Sequence, residues 1–277
     1  MPCHLKVSSK SSLMKLLHSS DIHLQLACGP RWDALDQLIA TAEQAQVDAL
    51  TIAGDLFDSA ADAIALVEPI RRRFQCVPFD VLILPGNHDV DGLRLPLDLG
   101  PRVRVLRHER WTDNVVEYDY VRVVGLPFDN LSRKEMEERL HSLTSRLTPD
   151  KCNILLYHGE LEEVRFDPEE TSPHGLQHMP SDLGLFAALN VDLVLAGHYH
   201  DRYIELPLGP GRSFIYPGSP VSVRKRERGA RCAVLLSPGE RPVRLHLQTF
   251  HYPLHTAGSM YDLVHEVLPE RAAVRMR

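Results

Sequence analysis

An α/β fold, a sheet whose strands are joined by crossover helices, is what this sequence predicts. Two observations carry the prediction. Short apolar runs alternate with stretches of helical length through the first third of the chain, in a βαβαβ order. Five of the apolar runs end beside Asp, Asn or His, and ligands of open α/β sheets bind outside the carboxyl ends of strands, where neighbouring loops converge.

Taken in order, residues 1–13 are polar, serine-rich and unpatterned, and read as a frayed extension ahead of Met14. A first strand runs from 14 to about 20, a helix covers 32–46 and a second strand 49–53. A helix over roughly 60–74 leads to a strand at 81–84. Residues 103–128 are short runs of alternating Val, Arg and Tyr with no helix between them, so antiparallel pairing is expected there. A charged helix over 132–145 opens on Ser132-x-x-Glu135, a capping box. Next come a strand at 153–157, a long polar connection through Pro180, a short helix at 182–189, and a strand that opens at Val191 and stops at Gly197-His198-Tyr199-His200. Strands at 203–206, 213–216, 230–236 and 243–250 complete one domain over 14–254, and the tail 255–277 is expected to hold a short helix.

Composition bounds the answer. With 277 residues, 44% hydrophobic and 25% charged, the chain is an ordinary globular one. No apolar stretch approaches the ~18 residues of a membrane-spanning helix, and the first twenty residues lack a signal-peptide core. Cytoplasm is the expected location, with no membrane partner. The five cysteines are odd in number and never spaced C-x-x-C, so they read as free thiols of a reducing compartment. A formal charge of -6 argues against a uniformly basic, DNA-coating protein and leaves room for a local basic groove.

The strand ends carry the chemistry. They read Ser20-Asp21-Ile22-His23, Gly54-Asp55-Leu56-Phe57-Asp58, Gly86-Asn87-His88-Asp89, Tyr157-His158-Gly159-Glu160 and Gly197-His198-Tyr199-His200. Nitrogen and oxygen donors without a cysteine suit Mn, Zn, Fe or Mg and argue against a thiolate zinc site. Each fragment alone is an ordinary turn. Together they would need five coincidences at equivalent positions. In the last fragment the two histidines stand one residue apart directly after a glycine, so the glycine-led turn sets where each imidazole points.

This ordered set, Asp-x-His, Gly-Asp-x-x-Asp, Gly-Asn-His-Asp, a strand-end His and Gly-His-x-His, resembles the calcineurin-like metallophosphoesterase superfamily over Asp21 to His200. The resemblance implies a four-layer α/β/β/α sandwich with mixed sheets and two divalent metal ions at the strand ends. By matching position, Asp21, His23 and His200 would hold one ion, Asn87, His158 and His198 the other, and Asp55 would bridge them. A carboxylate has two oxygens to share and an imidazole one lone pair, which agrees with Asp55 in the shared position. His88 matches the family's catalytic histidine, which contacts the phosphate. Asp58 and Asp89 are expected to orient histidine ligands. Manganese is the expected metal, with Fe, Zn or Mg as alternatives.

Finer motifs, Ser-Ser-Asp-Ile-His-Leu, Gly-Asp-Leu-Phe-Asp-Ser and Tyr216-Pro217-Gly218-Ser219-Pro220, are similar to the SbcD-type DNA repair nuclease branch. That likeness implies a DNA exonuclease or endonuclease with Tyr216 and Ser219 beside the active site. The run Arg224-Lys225-Arg226-Glu227-Arg228, with Arg231 beyond, would track a nucleic-acid backbone. An SbcC-like ATPase and a second copy of the chain are the implied partners. Relatives of that branch usually continue well past this core, so a phosphodiesterase or phosphatase of nucleotides or other small phosphoesters is the alternative. A non-catalytic scaffold is a third reading, and the complete ligand set with His88 counts against it.

Overall fold

The computed structural model describes residues 14–107, 114–164, 178–225 and 227–252. The expectations for 1–13, for Arg226 and for 255–277 lie outside the described residues. In chain order the first elements are β1 (Leu16–Ser19), α1 (Pro30–Ala45), β2 (Ala49–Ala53), α2 (Ala60–Ala65), α3 (Val67–Phe74) and β3 (Asp80–Leu84). The middle of the chain adds α4 (Val90–Leu93), β4 (Val103–Val105), β5 (Val115–Glu117), β6 (Val121–Leu126), α5 (Arg133–Leu143) and β7 (Cys152–His158). The last are α6 (Leu183–Ala187), β8 (Leu193–Gly197), β9 (Ile204–Gly209), β10 (Arg212–Tyr216), β11 (Cys232–Leu236) and β12 (Val243–His246).

The strands form two six-stranded mixed sheets, ordered β12-β11-β1-β2-β3-β4 and β5-β6-β7-β8-β10-β9. Within the first, β1 to β4 are parallel and β11 and β12 antiparallel; in the second, β6, β7, β8 and β10 are parallel and flanked by antiparallel β5 and β9.

Side chains alternate across each strand, and here both faces are covered, so each strand feeds two cores. Leu16, Ala49, Leu82 and Leu84 meet Ile154, Leu156, Leu195 and Ile215 between the sheets. The intervening Leu17, Leu50, Ile52, Val81 and Ile83 pack outward against Leu35, Leu38, Ile70 and Phe74 of α1 and α3. On the far side, Leu155, Tyr157, Val194 and Ala196 pack against Met136 and Leu140 of α5 and Phe186 of α6. The result is the expected α/β/β/α sandwich.

Three details depart from expectation. The helix expected over 60–74 is two helices, broken at Leu66. Pro69 has no N–H for the Ala65 carbonyl, and its ring crowds that carbonyl, which ends the first helix. In 103–128 only β5 and β6 are antiparallel; β4 pairs parallel with β3 in the other sheet, because the chain changes sheets between them. The one-turn α4 was not foreseen. The Ser132 capping box is present, with Ser132 N–H donating to Glu135 Oε2 at 2.8 Å and Glu135 N–H to Ser132 Oγ at 3.4 Å. No described helix is long and apolar enough to cross a membrane.

Candidate metal centre

Five strands deliver polar residues to one edge of the sandwich. Asp21 and His23 follow β1, Asp55 follows β2, Asn87 follows β3, His158 ends β7, and His198 and His200 follow β8. Within each sheet these strands are parallel neighbours, so their carboxyl ends share a side. Backbone bonds stitch the loops together: the amides of Asp21 and His23 donate to the carbonyls of Gly54 and Asp55 at 3.0 and 2.9 Å.

The local backbone is strained where it aims these side chains. Asp21, His23, Asp55 and His198 have φ of 56°, 54°, 50° and 95°, in or beyond the left-handed region. Such conformations cost about 1–3 kcal/mol each in L-residues and concentrate at functional sites. Two glycines permit the close approach of the sheets. A Cβ on Gly54 would lie 1.8 Å from His158 Nδ1, and one on Gly197 would lie 1.8 Å from the Ala53 carbonyl oxygen.

The side chains sort into two groups that meet at Asp55. In one, His200 Nε2 lies 3.2 Å from His23 Nε2 and 3.5 Å from Asp21 Oδ1. In the other, His158 Nε2 and His198 Nδ1 converge on Asn87 Oδ1 at 3.0 and 3.1 Å. Asp55 Oδ2 stands between them, 3.7 Å from His23 Nε2 and 3.4 Å from His158 Nε2. The bend after Gly197 therefore sends His198 and His200 to different groups.

Donors about 2.0–2.2 Å from a shared divalent ion stand about 3.0–3.5 Å from one another, along the edges of a tetrahedron or octahedron. The separations here fall within that spacing except the 3.7 Å between His23 and Asp55, which is slightly longer. Without a cation, the facing Nε2 atoms of His23 and His200 would have to share a proton. The cluster suits a dimetal site on its donor chemistry.

At its outer nitrogen each imidazole faces a carboxylate or carbonyl oxygen, which leaves the other nitrogen directed into the cluster. His23 Nδ1 faces Asp58 Oδ1 at 3.2 Å, His158 Nδ1 the Ala53 carbonyl at 2.9 Å, and His200 Nδ1 Glu227 Oε1 at 3.2 Å. His198 Nε2 lies 3.8 Å from Glu160 Oε1 and 3.4 Å from His178 Nδ1. Burial alone would raise the Asp21 carboxyl, yet His200 holds it down at about 2. Asp55 is likewise held well below the carboxylate range, by His158 and His23 against its burial. Burial would lower His158 and His200, but Asp55 keeps the first up at about 9 and Asp21, with Glu227, the second at about 10.

Other sequence-derived residues fall as follows. His88 is exposed, its ring edge-on to His23 at 4.7 Å and its Nδ1 3.0 Å from the Asp58 carbonyl, while its amide donates to Asp55 Oδ1 at 2.9 Å. Asp58 faces His23 and is gripped by Arg31 and Gln25. Asp89 accepts the amides of Gly86 and Phe57 at 2.8 and 3.1 Å and so ties two loops together. Burial, with the charge of Asp55, pushes its carboxyl up to about 8.

Tyr216 and Ser219 are buried, the Tyr216 hydroxyl donating to the Gly159 carbonyl at 2.7 Å and Ser219 Oγ lying 2.7 Å from the Asp21 carbonyl. Arg224 is half-buried and Lys225 exposed. Arg231 is withdrawn from the basic run: it is buried and donates to the carbonyls of His200, Arg228 and Gly229. Sequence reasoning assigned no role to Glu160, His178 or Glu227. Glu160 could have been suspected from its place two residues after His158. Glu227 is disguised by the basic residues around it, and His178 carries no signal in its surroundings.

The family model for calcineurin-like phosphoesterases matches residues 14–202, and the chain belongs to that family. Fold and centre together define the class, the metal-dependent phosphoesterases. Among curated proteins, the DNA double-strand break repair protein Mre11 of Methanopyrus kandleri is 25% identical over 244 residues, spanning 78% of this chain and 52% of that one. The SbcD component of the SbcCD nuclease of Staphylococcus epidermidis is also 25% identical over 244 residues, spanning 74% of this chain and 61% of the relative. Both are of the kind that the SbcD-type motifs resemble, and the match spans only 52–61% of their length. A dimetal phosphatase from Danio rerio superposes with a TM-score of 0.60 at 11% identity, over 87% of this chain and 100% of that one, a likeness of fold.

Proposed function

We propose that this chain is a two-metal phosphodiesterase that cleaves DNA. The observation that carries the reading is Asp55 Oδ2, placed between two donor groups at 3.7 and 3.4 Å from an imidazole of each. In this reading Asp21, His23 and His200 hold one ion, Asn87, His158 and His198 the second, and Asp55 is shared, with manganese the preferred metal. Bound there, the pair would polarise a phosphoryl oxygen and lower the pKa of a shared water to about 7. His88 has Nδ1 against a backbone carbonyl, which leaves Nε2 to meet the phosphate; in its protonated form it donates to the developing charge or the leaving oxygen.

DNA is favoured over a small ester by the surface beside His200. Lys225 and Arg228 are exposed there, and Phe250 and Tyr252, ring centroids 5.1 Å apart, ride on a segment bonded to the same stretch through Ser222 and Gly229. Basic side chains that neutralise phosphates beside aromatic rings that stack on bases suit a nucleic-acid strand. Arg224 and Arg226 belong to the same basic run, whereas Tyr216 and Ser219 enter as braces of the loops. An SbcC-like ATPase, a second copy of the chain and a cytoplasmic setting go with this reading.

The second reading, hydrolysis of nucleotides or other small phosphoesters, is favoured by the formal charge of -6 and by the withdrawal of Arg231. Assays with Mn²⁺ on single- and double-stranded DNA, a cyclic nucleotide and a chromogenic phosphodiester separate the two, with Asp55→Asn as control. DNA cleavage that the control abolishes is expected. Turnover of the small esters with DNA left intact would replace this reading by the second.

A further inference from the structure

Glu227 stands in the most cationic stretch of the chain, between Arg226 and Arg228, yet its side chain points inward. It is 0% exposed. A buried carboxylate costs several kcal/mol unless partners replace its water, so the side chain must be matched by specific bonds. The matches are present. Oε2 accepts the amide of Val223 at 2.6 Å, and Oε1 lies 3.2 Å from Nδ1 of His200.

The surroundings hold that pairing in place. Ser219 N–H and Arg231 Nη1 both donate to the His200 carbonyl, at 3.0 and 2.9 Å, which fixes the backbone of the histidine. Ser222 Oγ donates to the Glu227 carbonyl, and the Glu227 amide donates to the Arg224 carbonyl at 3.1 Å, which fixes the backbone of the glutamate. The other three histidines are served differently. His158 leans on a backbone carbonyl, His23 on the part-exposed Asp58, and His198 on Glu160 at 3.8 Å.

We propose that Glu227 is a positioning residue for His200: its carboxylate accepts a hydrogen bond from Nδ1–H and thereby turns Nε2 toward Asp21 and His23. The inference rests on the two-metal reading and extends it to the segment after the Tyr-Pro-Gly-Ser-Pro loop, which then serves as a bracket behind the site as well as a charged surface in front of it. Carboxylates in this role set the orientation and basicity of a ligating imidazole, and their loss weakens metal affinity by about 10- to 100-fold.

The test needs no substrate, so it stands apart from whether DNA is cleaved. Metal-free wild type and Glu227→Gln are titrated with Mn²⁺ by calorimetry, and their melting temperatures are compared without metal. Gln keeps the size and an acceptor for Val223 but loses the charge. Expected is a loss of about 10-fold or more at one of two sites, the other unchanged. Two unchanged sites would overturn the proposal, and so would equal weakening of both together with a lower melting temperature, the mark of a merely structural residue.

Should Glu227→Gln fail to fold, zinc-loaded wild type serves instead. An exchange-protected imidazole N–H proton resonance that His200→Ala removes is expected, and its absence would overturn the proposal.

Discussion

A positive φ at four of the seven proposed ligands places the strain of the molecule where the chemistry is. At His198 the value of 95° answers how two histidines one residue apart face different groups: the turn breaks the two-residue alternation between them. Two residue-scale outcomes follow. His200→Ala should weaken one Mn²⁺ site and spare the other, and His198→Ala should do the reverse; calorimetry that finds equal losses for either would unseat the sorting. Gly197→Ala should be far more disruptive than its single methyl suggests. The new Cβ would sit 1.8 Å from the Ala53 carbonyl oxygen, the same oxygen that orients His158 at 2.9 Å. Overpacking of this kind costs about 3 kcal/mol or more where backbone must yield. A lowered metal-free melting temperature together with reduced metal uptake would show it, and wild-type behaviour in both would refute it.

At the scale of elements, α5 separates stability from function. Its capping box is exposed and joins Ser132 to Glu135, neither of them a proposed ligand, so Ser132→Ala should cost about 1 kcal/mol in denaturant unfolding and leave Mn²⁺ stoichiometry unchanged. That helix was legible because its start signal is local. So were the five strand ends, where glycine, carboxylate and imidazole are close neighbours in sequence. The break at Leu66 was equally local, since Pro69 forbids a continuous helix, but the apolar pattern on either side hid it. The pairing of β4 was not legible, because alternation of Val and Arg describes a strand and not the sheet that receives it. Glu227 was hidden for a related reason. The residues beside it in sequence are cations, and its partner His200 lies 27 positions away.

The whole molecule is two sheets pressed together, and the space between them is not purely apolar. His18, two residues after Leu16 on β1 and fully buried, directs Nδ1 to Thr51 Oγ1 at 3.1 Å. Burial there lowers its pKa from 6.5 to about 3, because a charged imidazole between the sheets loses its water. The sign follows from the two states. The unfolded chain takes up the proton near pH 6.5 and the folded chain resists it to about 3, so this stability is complete above 6.5 and is lost as the pH falls toward 3. By pH 5 the loss from this one group is about 2 kcal/mol. Other histidines also titrate, so the informative quantity is a difference. Wild type and His18→Gln, both metal-free, should be unfolded in denaturant at pH 8 and at pH 5. Between the two conditions the gap should move by about 2 kcal/mol in favour of the glutamine variant. A gap that stays constant would mean that His18 carries no such load and that the apparent penalty of the inter-sheet position is relieved by some rearrangement of the sandwich.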